Sequence, residues 1–509
     1  MDKRYFRPEW TCGRYDKKSH SALYYNLLDG MAYSFEDESA DVIGCVLSSG
    51  RNKEVSIAVV ATKTGICKSS LDPFFDELRS LGLLVEQLPT EEGIARYRKQ
   101  IALWRKQNGG IGERTIEDKL PFDTSTAELD YSKRVGGITT MMFELTYRCS
   151  AKCIHCYNPG AVRNDEETSH RAEFDQMTLQ NYKRVIDELY EEGLARVCLT
   201  GGDPFSNKDI WGIIEYLYKK EIATTIYTNG IGILNDIEKL SKYYPRVVGI
   251  SIYSGNAEEH DAITRIPGSW AKSIAVVEAL ADLAVPINLK CCVMRPNLKH
   301  YYEVAELAKK YGAIPQFEVS VTDSVEGDLC VSKYLRLSPE QMEVVLRDEN
   351  IPLYVGKEAP NYGGQKRSLD AGPCGAGEST FCLTPYGDVI PCCSFHLVFG
   401  NVLEDSINEI LNKSEELHKW RNYKLSESEE CGRYDYCDYC SLCPGTNYSL
   451  RGDYKKASEN NCWLAKVRFN LAKKMMAGYD PLEGGSLAAR LAKEPEMEMP
   501  HLHKVICTQ

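Results

Sequence analysis

From Thr139 onward the chain alternates short apolar runs with longer amphipathic stretches, and this alternation sets the first expectation. The apolar runs are Thr139–Leu145, Arg196–Thr200, Ala223–Tyr227, Val247–Tyr253, Ile287–Val293 and Gln316–Val321, each of strand length. Between them lie stretches that read as helices, among them Leu179–Glu192, Ile210–Lys220, Lys272–Ala284 and Tyr301–Tyr311. Six βα units predict a parallel sheet, an α/β fold in the form of a partial (β/α)6 TIM-like barrel over residues 138–350. Functional groups in such folds gather at the carboxyl ends of the strands.

The N-terminal region reads differently. Ala22–Leu28 and Met31–Phe35 flank Asp29-Gly30, a hairpin signal. Asp41–Leu47 predicts a short helix and Leu71–Leu84 a longer one, with Phe74, Phe75, Leu78 and Leu81 on its apolar face. Small strands with short helices predict a winged-helix-like domain over residues 1–90. Glu91–Gln107 carries Ile94, Tyr97, Ile101 and Trp104 at helical spacing and stops at Asn108-Gly109-Gly110. The polar, patternless stretch that follows predicts a tether ending near Gly136-Gly137, which makes 91–137 a helical linker. Beyond residue 470, helices are expected over Leu471–Ala477 and Leu487–Lys493, in an extension over 471–509 whose Met- and Glu-rich tail offers no mechanism.

Composition narrows the class. The 509 residues are 43% hydrophobic and 26% charged, ordinary for a globular chain and long enough for several domains. The net charge of −12 argues against a nucleic-acid partner, whose electrostatic footprint would be basic. Residues 1–90 hold 11 Lys/Arg against 13 Asp/Glu, so the winged-helix-like domain is not expected to bind DNA. No basic segment followed by an apolar core opens the chain, and no apolar run reaches the length of a membrane span. A cytoplasmic location is expected. Twenty cysteines in such a chain point to metal before disulfides.

Three of those cysteines carry the chemistry. Within Phe143–Pro159, Cys149, Cys153 and Cys156 follow a strand-like run at C-x3-C-x2-C spacing, and no fourth cysteine is near. Three thiols on one loop can hold three irons of a cubane and leave the fourth open. Zinc needs four protein ligands or three plus water, and His155 is hard to bring to the same ion as its neighbour Cys156. Further motifs fall at later strand ends: Gly201-Gly202-Asp203-Pro204, Thr228-Asn229-Gly230, then Ser251, Tyr253 and Ser254, and Arg295 and Asn297. A glycine pair can be a plain turn or a place where backbone approaches a ligand. His260 is expected to pack or cap. Cys198, Cys291, Cys292 and Cys330 are expected to be structural, as are Cys12, Cys45 and Cys67.

A second constellation lies between residues 374 and 462, where nine cysteines fall within 89 residues. They are Cys374, Cys382, Cys392, Cys393, Cys431, Cys437, Cys440, Cys443 and Cys462, with Gly387-x4-Cys392 in an expected hairpin. Structural zinc is the rival reading of the C-x2-C pairs.

The cysteine loop, the Gly-Gly motif and the cysteine-rich extension together resemble radical S-adenosylmethionine (SAM) enzymes that carry a SPASM domain. The resemblance implies a [4Fe-4S] cluster on Cys149, Cys153 and Cys156, with SAM on its open iron. It implies SAM contacts from Tyr157 beside the adenine, from Gly201, Gly202 and Asp203, and from Ser251. Asp203 stands where the family has Glu. The SPASM domain, residues 370–470, would hold two auxiliary [4Fe-4S] clusters. Cys374, Cys392 and Cys443 match the first, with Cys382 or Cys393 as a possible fourth ligand or its iron left open to substrate. Cys431, Cys437, Cys440 and Cys462 match the second. The five-residue gap after Cys431 departs from the family's common spacing. Residues 1–90 resemble the peptide-recognition element of ribosomal-peptide modification systems, which captures a leader peptide by strand addition. The implied function is oxidative modification of a ribosomally synthesised precursor peptide, as a thioether or carbon–carbon crosslink, with flavodoxin or ferredoxin as electron donor. Sulfatase maturation by formylglycine formation, peptide epimerisation and a non-catalytic iron–sulfur sensor are the alternatives.

Overall fold

The computed structural model describes residues 3–108, 126–158, 175–322, 329–356 and 368–495, except the side chains of 329–331. Pro159, the side chain of Cys330 and Cys507 lie outside the described residues.

Five strands open the chain: β1 (Tyr5–Arg7), β2 (Thr11–Asp16), β3 (Ser21–Asn26), β4 (Met31–Glu36) and β5 (Lys53–Val55). Strands β2, β3 and β4 form an antiparallel meander, and β1 pairs with β5 apart from it. The expected hairpin turns at Gly30, whose φ of 81° suits glycine. Helices Asp37–Ser48, Ile57–Thr64 and Lys68–Ser80 pack their apolar sides on this meander around Tyr24, Val46, Phe75 and Leu78.

Six strands then run parallel in chain order: β6 (Thr140–Glu144), β7 (Arg196–Thr200), β8 (Ala223–Thr228), β9 (Val247–Ser251), β10 (Ile287–Cys292) and β11 (Ile314–Glu318). This is the mostly parallel sheet of a partial barrel that the alternation predicted. Met141, Phe143, Val197, Leu199, Ile226, Ile250, Leu289 and Phe317 face the helices in one buried core. The opposite parity, from Glu144 through Thr200, Tyr227, Ser251 and Lys290 to Gln316, faces the lumen and is polar. Strands β12 (Thr380–Leu383), β13 (Asp388–Ile390) and β14 (Gly400–Asn401) add to the free edge of β6: β12 pairs with β6 in parallel, and β13 and β14 each pair antiparallel with the strand before. The expected hairpin around Gly387 therefore continues the barrel sheet.

The stretch read as a patternless tether contains a helix, Thr126–Val135, and this corrects the reading. Its signal is not an apolar stripe. It buries Tyr131 and Glu128, and Glu128 accepts from Tyr25 at 2.9 Å and pairs with Arg246 at 3.0 Å. Arginines complete the docking of the N-terminal elements. Arg98 donates to the carbonyls of Leu283 and Ser241, Arg105 to those of Ala284 and Leu28, and Arg51 to that of Tyr218. Arg7, fully buried, pairs with Glu221. All these barrel groups precede β8, β9 or β10, so the N-terminal domain covers the floor of the barrel, opposite the strand ends that carry the motifs. No helix among the described residues is long and apolar enough to cross a membrane.

Candidate active site

The cysteine loop leaves β6 at its carboxyl end and is held there by backbone. Gly202 N donates to Thr146 O at 2.6 Å and Asp203 N to Arg148 O at 2.8 Å. Lys152 N and Ile154 N donate to Thr264 O and Ile263 O, tying the loop to the helix Ala257–Thr264. The glycine pair explains the fit. A Cβ on Gly201 would strike the carbonyl oxygen of Thr146, and one on Gly202 that of Arg148. Gly201 also sits at φ 129°, where side chains are rarely tolerated. The N–H groups of Gly202 and Asp203 are thus engaged by the loop itself.

Asp203 is buried and its carboxylate is occupied within the protein. It accepts from Thr228 Oγ1 at 2.6 Å, from Asn229 N at 3.0 Å and from Phe205 N at 3.0 Å. It joins the ends of β7 and β8. From β8, Asn229 Nδ2 reaches Cys149 Sγ at 3.4 Å and Ser150 Oγ at 3.2 Å.

Cys149 opens to solvent while Cys153 and Cys156 are half-buried. Crowding by protein pushes the Cys149 thiol up to about 12, and neighbouring Asp203 and Cys156 push the same way. Loss of water also raises Cys153 and Cys156, and the Cys149 and Cys156 thiols raise Cys153 further. Three neighbouring thiols that cannot ionise unaided are a donor set that a cationic cluster would satisfy. Among the described residues no three or more His, Cys, Asp or Glu side chains are gathered as ligands of a single ion. A cluster, whose ligands sit on different irons, does not need that convergence.

Two aromatic groups flank the thiols. The Tyr253 ring lies between His155, at 4.5 Å edge-on, and His260, at 5.5 Å stacked. It neighbours Ser251 and the Cys153 thiol, and burial followed by the charge a Cys153 thiolate would carry holds its phenol far above its ordinary value. Burial pushes both His155 and His260 down to about 4, so both rings are neutral. His260 is buried, and its Nδ1 accepts from Tyr253 N at 3.1 Å, the packing role expected of it. His155 Nδ1 is buried without a partner.

Tyr157 points to the SPASM side. The charge a neighbouring Cys393 thiolate would carry, ahead of burial, holds the Tyr157 phenol far above its ordinary value. Glu144, fully buried at the end of β6, accepts from Tyr147 at 2.9 Å and from Cys382, and burial pushes it up to about 7. Cys382 lies within β12 opposite Met142, on the lumen face. Cys374, Cys392 and Cys443 lie close enough that Cys443 and Cys374 raise the Cys392 thiol, after burial and Cys393. Cys431, Cys437 and Cys462 form a second neighbourhood, in which the first two raise the third after burial. Cys440 Sγ lies 4.0 Å from the carbonyl of Asn461, next to Cys462.

Asn229 and Tyr253 fall in strand-end motifs that the sequence named without assigning them a contact, and Glu144 was not singled out at all. Each is one polar residue on a strand end, and only the alternation of faces could have raised them.

Comparison with known proteins agrees with this geometry. Residues 143–308 match the Radical SAM superfamily, and residues 374–444 match the SPASM iron-sulfur cluster-binding domain. The antilisterial bacteriocin subtilosin biosynthesis protein AlbA of Bacillus subtilis (strain 168) is 29% identical over 329 residues, 64% of this chain and 70% of its own. An AdoMet-dependent heme synthase of Methanosarcina barkeri is 26% identical over 61% of this chain and 93% of its own. Among solved structures, Streptococcus suis SuiB bound to S-adenosylmethionine, and SuiB bound to its precursor peptide SuiA, share the fold at a TM-score of 0.53 and 14% identity. Each covers 90% of this chain and 100% of its own.

Proposed function

Proceeding from a radical SAM enzyme with a SPASM domain, we propose that this chain oxidatively modifies a ribosomally synthesised precursor peptide, forming a thioether or carbon–carbon crosslink. Cys149, Cys153 and Cys156 hold the SAM-binding [4Fe-4S] cluster. Tyr157, Gly201, Gly202, Asp203 and Ser251 surround SAM, with Asp203 acting through the β7–β8 junction rather than by direct contact. Bound there, the cluster and SAM would supply the chemistry of hydrogen-atom abstraction, while these residues hold and orient them. Cys374, Cys392 and Cys443, with Cys393 or Cys382, hold one auxiliary cluster, and Cys431, Cys437, Cys440 and Cys462 the other.

One observation carries the choice of an oxidative outcome. Tyr157 and Cys393 are close enough to shift each other's ionisation, which brings the cysteine loop up to the hairpin that bears Cys392. An auxiliary cluster on that hairpin would lie beside the radical site, where it can take an electron from the substrate or bind its thiolate. AlbA is a bacteriocin biosynthesis protein and SuiB binds a precursor peptide, which supports a peptide over a tetrapyrrole. The 90% of the chain shared with the SuiB fold supports the same reading of the N-terminal domain as a winged-helix-like leader-binding element. A flavodoxin or ferredoxin in the cytoplasm supplies the electron.

The test is anaerobic. Reconstituted protein with SAM and dithionite yields 5′-deoxyadenosine, and Cys149→Ala, Cys153→Ala and Cys156→Ala abolish it. A peptide encoded beside the gene, co-expressed, loses two hydrogens in mass. An unchanged mass with inverted stereochemistry would replace crosslinking by epimerisation. Zinc and no iron after anaerobic purification would overturn the reading.

A further inference from the structure

The lumen holds a cation that no carboxylate among the described residues neutralises. On the lumen-facing parity of β6–β11 there are two cations. Arg196, at the foot of β7, pairs with Glu128 at 3.6 Å. Lys290 of β10 has no carboxylate partner among the described residues. Its ammonium lies 3.8 Å over the Tyr227 ring and donates to Gln316 Oε1 at 3.2 Å, two neutral partners. The acidic groups nearest in the lumen are engaged elsewhere. Glu144 accepts from Tyr147 and Cys382, and Glu318 accepts from Ser320 N at 2.7 Å.

The surroundings are shaped for this lysine. Lys290 is opposite Ser251 of β9 on one side and Gln316 of β11 on the other. Gly249 lies between, and a Cβ there would meet the Tyr227 ring at 2.6 Å and Lys290 Cδ at 3.1 Å. The missing side chain lets the lysine stem lie flat against the Tyr227 ring. Lys290 therefore lies in the lumen beside the β9 end, near Tyr253, whose ring meets His155 of the cysteine loop. Beneath it, Asn288 of β10 is 1% exposed with both amide atoms unpartnered, and Thr225 of β8 is fully buried with Oγ1 unpartnered. Buried polar groups are ordinarily hydrogen-bonded, so these three atoms leave room for a partner such as a water or a bound group.

We propose that Lys290 is the carboxylate anchor of the lumen: its ammonium pairs with a carboxylate of the reactant held beneath the cysteine loop. Two sources carry that chemistry. One is the methionine carboxylate of SAM, and this source rests on the function proposed above. The other is an acidic side chain or the C-terminus of the peptide. A bland alternative makes Lys290 a packing residue whose stem covers Tyr227. Lys290→Met keeps that stem and removes only the charge, and Lys290→Arg keeps the charge.

The test has two arms. In reconstituted protein, the affinities of SAM and of decarboxylated SAM are read from the change in the reduced cluster's EPR spectrum. If the carboxylate is that of SAM, Lys290→Met weakens SAM at least about tenfold, leaves decarboxylated SAM unchanged, and Lys290→Arg restores most of the loss. In cluster-free protein, saturation-transfer NMR compares Ac-Gly-Asp-Gly-NH2 with Ac-Gly-Asn-Gly-NH2. If the carboxylate is the peptide's, the wild type prefers Asp and Lys290→Met does not. Equal behaviour of wild type and Lys290→Met in both arms overturns the proposal. The second arm needs no cluster, so a wild type that makes no 5′-deoxyadenosine would sink the proposed function and leave the Lys290 result standing.

Discussion

The side-chain amide of Asn229 lies 3.4 Å from the sulfur of Cys149, so the end of β8 places a hydrogen-bond donor on the first cysteine of the loop. Donors to cluster sulfurs favour the reduced, more negative state and raise the reduction potential. Asn229→Leu should therefore shift the midpoint of the SAM cluster to lower potential with iron content unchanged. EPR-monitored potentiometry reads this. A midpoint equal to that of the wild type would show that the contact has no electronic role.

The glycine pair makes a sharper structural prediction. A methyl at Gly202 falls on the carbonyl of Arg148 and one at Gly201 on that of Thr146. Both are backbone atoms and cannot swing aside. Gly202→Ala should displace the cysteine loop and release the SAM cluster while the SPASM clusters stay. Iron per chain should then fall by about a third, taking three four-iron clusters as the full complement. Loss of all iron together would mean the domain unfolds as one unit.

Much of this was legible in the chain and some was not, for identifiable reasons. Strand β7 lies where Arg196–Thr200 was read, because its alternation is uninterrupted. Strand β11 lies at Ile314–Glu318, earlier than the Gln316–Val321 expected, because Pro315 reads as a breaker. Proline is tolerated there since β11 is the edge of the sheet. Strands β2 and β5 carry Arg14, Asp16, Lys53 and Glu54, and their polar composition hid them. The helix Thr126–Val135 is stabilised by a buried ion pair with a distant residue, which no local pattern encodes. In the site, close cysteine spacing was visible because it is local. Asn229, Tyr253 and Lys290 come together only when parallel strands bring their ends to one level.

That ion pair sets a stability prediction. Glu128 holds Arg246, which is 1% exposed, with Arg196 alongside. Removing one partner strands a buried charge, at a cost of about 3–5 kcal/mol. Glu128→Ala should loosen the N-terminal domain from the barrel floor. Limited proteolysis would then degrade the N-terminal domain faster, and the first unfolding transition would move to lower denaturant. A double variant with Arg246→Met should recover part of the loss, because the stranded charge is gone.

Asp29, in the β3–β4 turn, supplies a pH dependence. Burial pushes its carboxyl up to about 6 from 3.8, against the opposing pull of Met31 N and Arg105. The folded state holds this proton more tightly than the unfolded state. The stability it contributes is fully present below about pH 4, declines as pH rises through about 6, and is flat above. Asp29→Asn should remove that slope from a stability–pH profile of the protein. An unchanged slope would assign it to other groups.

The separation of the two ends of the barrel constrains the substrate. The N-terminal domain covers the floor, where Arg105 reaches Ala284 and Arg51 reaches Tyr218, and the cysteine loop lies at the opposite strand ends. The strands between are five or six residues long, or about 17–20 Å at ~3.3 Å per residue. A leader held by the N-terminal domain must bridge at least that distance before its core reaches the site. About six extended residues is the minimum spacer. Shortening the segment between leader and first modified residue below that length should abolish modification without weakening leader binding. Mass spectrometry of co-expressed peptides with stepwise deletions, paired with leader affinity by fluorescence anisotropy, separates the two effects. Full modification with a three-residue spacer would mean that the leader binds elsewhere.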